Sequence, residues 1–503
     1  MKRILCLLLA MLMVLPLAVA CAKDEQPPVV TDDGTEPADS TAPDGTDPVD
    51  TEPPAPVRAH SVPVDELDFD NAEFNTVAYE WQGYPYYFFS DDDTSDPMSA
   101  ALYNRRIEIE EELGVKMTYF MYKSEVDMNN TVQQDVLAGS TEIDLALLHC
   151  IVGVAHMTSN AYLYPLEMLK YVDLEADWWN LTQMDALRAG ENYYLGVNDY
   201  MIPCPYVIFF NKEMVEDLSL DDPYQLVHDQ AWTYDAFIQM ARAATKDVNT
   251  DGVYDSENDS FGIACDEVSN YVSFLPAFDQ PLADKNEDGR FVLSMNTEKM
   301  ADIVADFAEF AKEHIFYPDI STHPDDQITM DSGRLLFLLS PITVAEKLRD
   351  CEVSYGILPY PKYDEAQANY RTLDWGGLMV VPSVVEDPDM VGAVLELLAF
   401  KAEEEVIPAY YDVVLDGQLA QDPESSKMLD VIFDTICYEP AMNYWGLMSP
   451  YMQLIFVLSH QAIWKQNGNF ASIYAEYADG VQKQIDTFYE TLEIYEDYNA
   501  AFD

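Results

Sequence analysis

The chain has 503 residues, of which 49% are hydrophobic, so it is long enough to bury the cores of two or three domains. It carries 91 acidic but only 26 basic residues, which gives a formal net charge of −65. A surface this acidic repels nucleic acids and anionic lipid headgroups, so we expect neither as a direct partner.

The first 20 residues have the composition of a secretory signal peptide. Lys2 and Arg3 precede an apolar run that continues to Ala20 and is followed by Cys21. A transmembrane anchor is the alternative, but the run is at the short limit for a span and contains Pro16. The segment resembles a bacterial lipoprotein signal. This resemblance implies that Cys21 is lipidated, for example with palmitate, and that the protein lies on the extracellular face of the cytoplasmic membrane.

Residues 21–60 are predicted to form a disordered linker behind this lipid anchor. They are mainly Pro, Thr, Asp, Glu, Gly and Ala, with almost nothing to bury. Such a segment cannot offset the entropy lost on ordering. We expect it to hold the folded body, residues 61–503, away from the membrane, although a linker without any role predicts the same disorder.

The cysteines and histidines of the body indicate neither a disulfide framework nor catalytic zinc. The cysteines are odd in number and widely spaced, at Cys150, Cys204, Cys265, Cys351 and Cys437. The seven histidines of the chain are scattered and form no H-E-x-x-H motif.

The first part of the body alternates between strand and helix patterns. Strands are predicted at Phe74–Trp81, Val115–Tyr122 and Ile143–Leu148, and helices at Met98–Leu113 and around Asn129–Ala138. This β-α-β-α-β order predicts a mostly parallel sheet with helices on its faces.

The later elements are mainly helical. A strand at Tyr206–Phe210 precedes a helix that begins after Thr233, its predicted cap, and runs to Thr245. Amphipathic helices are predicted at Lys299–Glu313 and Asp389–Glu405. A long C-terminal helix is predicted from one apolar stripe, formed by Ile473, Tyr477, Val481, Ile485, Phe488, Leu492 and Tyr495.

An acidic loop places oxygen-bearing residues at every second position around Gly252. The predicted ligands are Asp247, Asn249, Asp251, Val253 through its carbonyl, and Asp255. Hard oxygen ligands at this spacing resemble the first part of an EF-hand loop and predict a structural calcium ion. Asn258 stands where an EF-hand has its last Glu, so Glu257 or Asp259 is left to close the site. The alternative is an acidic surface turn.

A second fragment, Asp284–Arg290, predicts a hairpin turn before Phe291–Leu293.

Four short sequence motifs together resemble those of the sugar-binding, family 1 extracellular solute-binding proteins of bacterial ABC importers. They are Tyr206–Lys212, Trp232–Phe237, Gly333–Phe337 and Tyr355–Tyr363. Each is weak alone, but their order and spacing between about residues 75 and 500 make the joint match specific. Relatives that bind alginate carry a calcium loop at a similar place, which supports the predicted metal.

The resemblance implies an α/β fold of the type II periplasmic-binding-protein class, a two-lobed clamp with a hinge. Lobe 1 is predicted to contain residues 61–203 and 376–435, and lobe 2 residues 204–375 and 436–503. The chain is expected to cross between the lobes near Ile202–Pro205 and Trp375–Pro382. Ligand would lie in the cleft between the lobes and favour closure.

The resemblance also implies the function and the ligand residues. The expected ligand is a carbohydrate, with an oligosaccharide preferred. A monomeric binding protein would pass it to the permease subunits of an ABC importer without catalysis. Sugars need flat aromatic rings and polar groups. The positions that correspond by chain order to the cleft are His149, Tyr271, Ser340, Thr343, Trp375 and Trp445, of which Trp375 is the preferred stacking residue.

Two other functions remain open at this point. A secreted glycoside hydrolase would also be acidic and aromatic, but it needs two carboxylates roughly 5–9.5 Å apart, and no sequence pattern selects a pair. A sensory or adhesion lipoprotein could use the same clamp without transport.

Overall fold

The computed structural model describes residues 59–79, 89–91, 96–149, 152–265, 268–317, 330–414 and 422–500. The predicted signal peptide, Cys21 and the linker as far as Arg58 lie outside these ranges. None of the helices within them has the length and apolar composition that a membrane crossing requires.

The strands and helices are numbered here in chain order. The strands are β1 (Ala72–Tyr79), β2 (Val115–Tyr122), β3 (Leu145–Leu148), β4 (Tyr206–Asn211), β5 (Phe261–Cys265), β6 (Ala283–Lys285), β7 (Phe291–Leu293), β8 (Leu335–Pro341), β9 (Tyr355–Leu358), β10 (Thr372–Leu373), β11 (Leu378–Val380) and β12 (Ile436–Cys437). The α-helices are α1 (Pro97–Leu113), α2 (Glu125–Ala138), α3 (Val154–Ser159), α4 (Leu181–Leu187), α5 (Lys212–Asp217), α6 (Pro223–His228), α7 (Tyr234–Ala244), α8 (Phe274–Ala277), α9 (Glu298–Lys312), α10 (Pro388–Phe400), α11 (Ile407–Val414), α12 (Pro423–Asp434), α13 (Pro440–Asn443) and α14 (Phe470–Ala500).

The first sheet has the strand order β11-β3-β1-β2. Strand β1 pairs in parallel with both β2 and β3, while β11 joins the edge in antiparallel direction. Gly114 allows the sharp turn from α1 into β2, because its left-handed backbone (φ 60°) is open to glycine. The predicted parallel β-α-β-α-β order is confirmed, with strand β1 ending at Tyr79 within the described residues.

The second sheet has the strand order β5-β8-β4-β9 and mixed directions. Strands β5 and β8 are parallel, and β4 runs antiparallel to both of its neighbours, β8 and β9. Every residue of β4 and β8 is buried. Continuous apolar runs of this kind are typical of strands covered on both faces.

Local sequence signals explain several helices. The Thr233 side chain accepts a hydrogen bond from the Ala236 amide at 3.5 Å and caps α7, as predicted. Trp232 is fully buried beneath this helix, and its Nε1 donates to the Pro359 carbonyl at 2.9 Å. The predicted helix Asp389–Glu405 is instead α10 followed by a π-helical turn at Ala402–Val406.

The C-terminal part also follows its pattern. Helix α14 buries five members of the predicted stripe, and Tyr477 is half-buried beside them, while the side chain of Tyr495 lies outside the described part of the structure. The predicted turn before Phe291–Leu293 is confirmed, because β6 and β7 form an antiparallel hairpin around it. Helix α12 packs against β9 of the second sheet. The lobe boundaries themselves remain a prediction.

Three short segments lie side by side where the chain passes between the two sheets. Residue Pro205, before β4, forms an antiparallel bridge with Asp374, and the Trp375 amide donates to the Cys204 carbonyl at 3.2 Å. The Asp374 amide donates to the Cys437 carbonyl at 2.9 Å, which adds the segment around β12. These backbone bonds hold the ends of the two sheets close together.

Candidate functional site

An aromatic cluster occupies the junction of the two sheets. The ring of Trp375 stacks on that of Tyr206, with centroids 5.1 Å apart and planes inclined by 24°. The rings of His149 and Trp375 are nearly perpendicular, with planes inclined by 79° and centroids 6.3 Å apart. His149 directly follows β3 of the first sheet and Tyr206 begins β4 of the second. We call these three rings the junction cluster.

Strand register brings the end of β8 to the junction cluster. Tyr206 lies opposite Pro341, and the next pair in the ladder is Val207 with Ser340. The Ser340 hydroxyl is buried and has no hydrogen-bond partner among the described residues. Thr343 is half-buried in the turn that follows β8. Ser340 and Thr343 therefore lie on the segment that reaches the cluster.

Two carboxyl groups lie beside these rings. The Asp374 Oδ1 accepts the Cys204 amide at 2.7 Å, and burial raises the pKa of this carboxyl to about 6. Glu125, in the first turn of α2, has its Oε1 4.0 Å from His149 Nδ1. Burial raises the pKa of Glu125 to about 8 and lowers that of His149 to about 4.

Two of the predicted ligand residues lie in other surroundings. Tyr271 is fully buried, with its ring edge-on to Phe316 at 5.4 Å, and has no exposed surface in this structure. Trp445 is half-buried at the edge of Phe456, with ring centroids 5.8 Å apart. The structure therefore brings the rings of His149 and Trp375 together but shows no such contact for Tyr271 or Trp445. Ser340 is one residue along β8 from the partner of Tyr206, so its side chain points to the opposite face of the sheet. The ligand role of all six remains a prediction.

Sequence reasoning missed Tyr206, Glu125 and Asp374. Two of them had a usable signal. Glu125 follows a capping serine directly after β2, at the carboxyl end of a parallel strand, where ligands of α/β sheets are commonly bound. Tyr206 is the first residue of Tyr206–Lys212, the first of the four motifs that resemble solute-binding proteins. No sequence pattern predicts the hydrogen bond that the Cys204 amide donates to Asp374, because this bond depends on contact between distant segments.

The acidic loop is closed by hydrogen bonds among its own residues. The Asp247 carboxylate accepts the backbone amides of Asp251 at 3.2 Å and Gly252 at 2.8 Å. The Asp251 Oδ1 in turn accepts the Val253 amide at 2.8 Å. Gly252 has a φ of 84°, so the tight turn requires glycine.

Asp259 links the two ends of this loop. It is 1% exposed, and its oxygens accept the amides of Val248 at 2.8 Å and Asp255 at 2.9 Å. The carboxylate, amide and carbonyl oxygens of the loop are of the chemical kind that calcium prefers. Within the described ranges, no group of three or more His, Cys, Asp or Glu side chains is placed to hold a metal ion. Calcium therefore remains a prediction from the donor set.

The comparisons with known proteins bear on the fold. No family model and no curated protein matches the sequence. An ABC substrate-binding protein of Listeria monocytogenes in complex with cycloalternan is similar over 84% of this chain and 100% of its own, with a TM-score of 0.54 and 14% identity. This chain has the fold of sugar-binding ABC solute-binding proteins. The predicted two-lobed α/β class is confirmed.

Other solved structures agree with this result. The maltose/maltodextrin-binding domain MalE of Bdellovibrio bacteriovorus, bound to maltotriose, has a TM-score of 0.53 and 14% identity over 83% of this chain and 99% of its own. A solute-binding protein of Thermotoga lettingae bound with α-D-tagatose has a TM-score of 0.53 and 15% identity over 82% of this chain and 100% of its own. At these identities the likeness is one of fold.

Proposed function

We propose that this protein captures an oligosaccharide at the junction of its two sheets and delivers it to an ABC importer without changing it chemically. The observation that carries the proposal is the junction cluster, in which rings from both sheets meet beside polar groups. Structural neighbours were solved with cycloalternan, maltotriose and mannotriose, which supports a sugar of this size.

The chemistry of the cluster suits a sugar. A pyranose ring has apolar C–H faces that pack on an indole and an edge of hydroxyl groups that need hydrogen-bonding partners. Trp375, which is 4% exposed, supplies the ring surface, the fully buried ring of Tyr206 supports it from behind, and Glu125 and His149 supply the polar atoms. Glu125 and His149 belong to the side of the first sheet, and Trp375 lies on a crossing segment stacked on the second sheet. A ligand that contacts all three therefore stabilises the closed form, which a permease is able to recognise.

We also propose that the protein works outside the cytoplasm as a lipoprotein attached through Cys21. The signal-like composition of the first 20 residues supports this assignment. Labelled fatty acid should be incorporated into the wild type but not into Cys21→Ala expressed in a bacterium. Equal labelling of the two proteins would contradict the anchor.

The binding proposal is tested by calorimetry with the purified chain, residues 22–503, against a panel of mono- and oligosaccharides. We expect saturable binding of at least one neutral oligosaccharide, and chromatography should recover that sugar unchanged. Shortened products would favour the glycoside hydrolase instead. No heat with any sugar in the panel would contradict carbohydrate capture.

A further inference from the structure

Glu125 and His149 form an unusual polar pair in the wall of the junction. The Glu125 Oε1 lies 4.0 Å from the His149 Nδ1, and the two side chains are only 13% and 10% exposed. The Glu125 Oε1 is buried without a hydrogen-bond partner among the described residues. His149 in turn borders the Trp375 ring. A carboxyl group buried in this way, with no Lys or Arg paired to it in the described part of the chain, is costly to ionise.

Among the described residues, the Glu125 carboxyl forms no ion pair with a Lys or Arg, and His149 is the only basic side chain within 4.0 Å of it. Helix α2 packs against β1, β2 and β3. Besides Glu125 and His149, these elements and their ends carry titratable groups at Glu73, Tyr79, Lys116, Tyr119, Tyr122, Lys123, Asp127, Asp135 and Asp144, of which Lys116 is paired with Glu73. Lys123 and Asp127 are exposed, and Asp144 accepts the Asn75 amide. Burial alone raises the pKa of Glu125 and lowers that of His149, so both side chains are neutral near pH 7.

We propose that Glu125 and His149 act as an uncharged hydrogen-bonding pair that selects neutral sugar hydroxyls and discriminates against uronates and amino sugars. The proposal rests on the proposed function and specifies its ligand class. A neutral carboxylic acid donates one hydrogen bond and accepts others, which matches a hydroxyl group. A uronate carboxylate would be buried there without a cation. The ammonium group of an amino sugar would have to be desolvated and would bind only as Glu125 loses its proton.

The experiment measures affinity for the tighter binder of maltotriose and mannotriose, with galacturonate and glucosamine trimers as charged probes. At about pH 6.5, Glu125→Gln should bind within about threefold of wild type, because the amide is a neutral isostere, and Glu125→Ala about tenfold more weakly. At about pH 9.5 the wild type should weaken by about thirtyfold, since only about 3% of a carboxyl with a pKa of about 8 is then protonated. Glu125→Gln should not weaken, and the exposed-site control Asp127→Asn should follow the wild type.

The outcomes separate the two proposals. A parallel alkaline loss in wild type and Glu125→Gln would overturn the neutral pair while leaving sugar capture intact, as would tighter binding of either charged trimer. If neither of these trimers nor any other sugar of the panel binds the wild type at any pH, carbohydrate capture itself is contradicted. A direct NMR titration of the Glu125 carboxyl, assigned by its loss in Glu125→Gln, gives a readout independent of ligand. Ionisation below about pH 6 would overturn the pair.

Discussion

The junction cluster and the acidic loop are held together in different ways. The cluster joins His149, Tyr206 and Trp375, which are far apart in sequence and meet through ring contacts and the backbone bonds of the crossing segments. The acidic loop satisfies its polar groups within the short segment Asp247–Asp259. Substitutions in the cluster should therefore change both ligand affinity and stability, whereas substitutions in the loop should change stability alone.

Trp375→Ala is expected to have the largest effect. Its indole is 4% exposed and stacked on Tyr206, so its removal should cost about 3–5 kcal/mol of stability and weaken sugar binding by tens-fold or more. Denaturant unfolding and calorimetry measure the two effects. Trp445→Ala, which removes a half-buried ring, is the matched control and should reduce affinity less. Unchanged affinity in folded Trp375→Ala would move the site toward Trp445.

The pH dependence of stability should reveal Asp374 at the crossing. Its pKa in the folded state is raised from 3.8 to about 6 by burial, so the native state holds this proton more tightly than the unfolded state. The contribution of this group to stability should fall by about 3 kcal/mol as pH rises from about 4 to above 6.

Asp374→Asn should lose this pH dependence, because the amide oxygen is neutral and is still able to accept the Cys204 amide. Unfolding curves of the two proteins at several pH values measure the difference. If the stabilities of wild type and variant change in parallel with pH, Asp374 does not carry the effect.

Calcium removal tests the acidic loop. An ion bound only by the native state adds about 2.7 kcal/mol at a hundredfold excess over its Kd, so a chelator should lower the melting temperature. Calcium should restore it better than magnesium, whose small octahedral shell fits such a loop poorly. Asp251→Ala should abolish the response and leave sugar affinity unchanged. Identical melting with chelator and with calcium would show an acidic surface turn.

Asp259→Ala should have the smallest of these effects. It leaves the amides of Val248 and Asp255 without their buried acceptor and should cost about 2 kcal/mol of stability. Exposed Glu287→Ala, outside this loop, is the control and should be nearly neutral. Calorimetry should show unchanged sugar affinity for both variants, and a weakened affinity in Asp259→Ala alone would connect the loop to the ligand site.

The sequence predicted best those features that depend on residues close together in the chain. The Thr233 cap, the β6–β7 hairpin and the stripe of α14 each depend on residues close in the chain, and all are present. The stacking of Tyr206 on Trp375 depends on the register of β4 with β8 and on the crossing segments, neither of which has a local signature. For the same reason, chain order selected Tyr271 but could not show that its side chain is buried.

Hydrogen–deuterium exchange with and without a bound oligosaccharide tests most directly whether ligand binds at the junction cluster. Peptides that contain Tyr206 and Trp375 should exchange more slowly in the presence of sugar, because ligand contact and closure restrict opening of the crossing segments. Peptides from the acidic loop should exchange at the same rate in both states. Protection confined to other parts of the chain, with no change around Tyr206 and Trp375, would contradict a binding site at the junction.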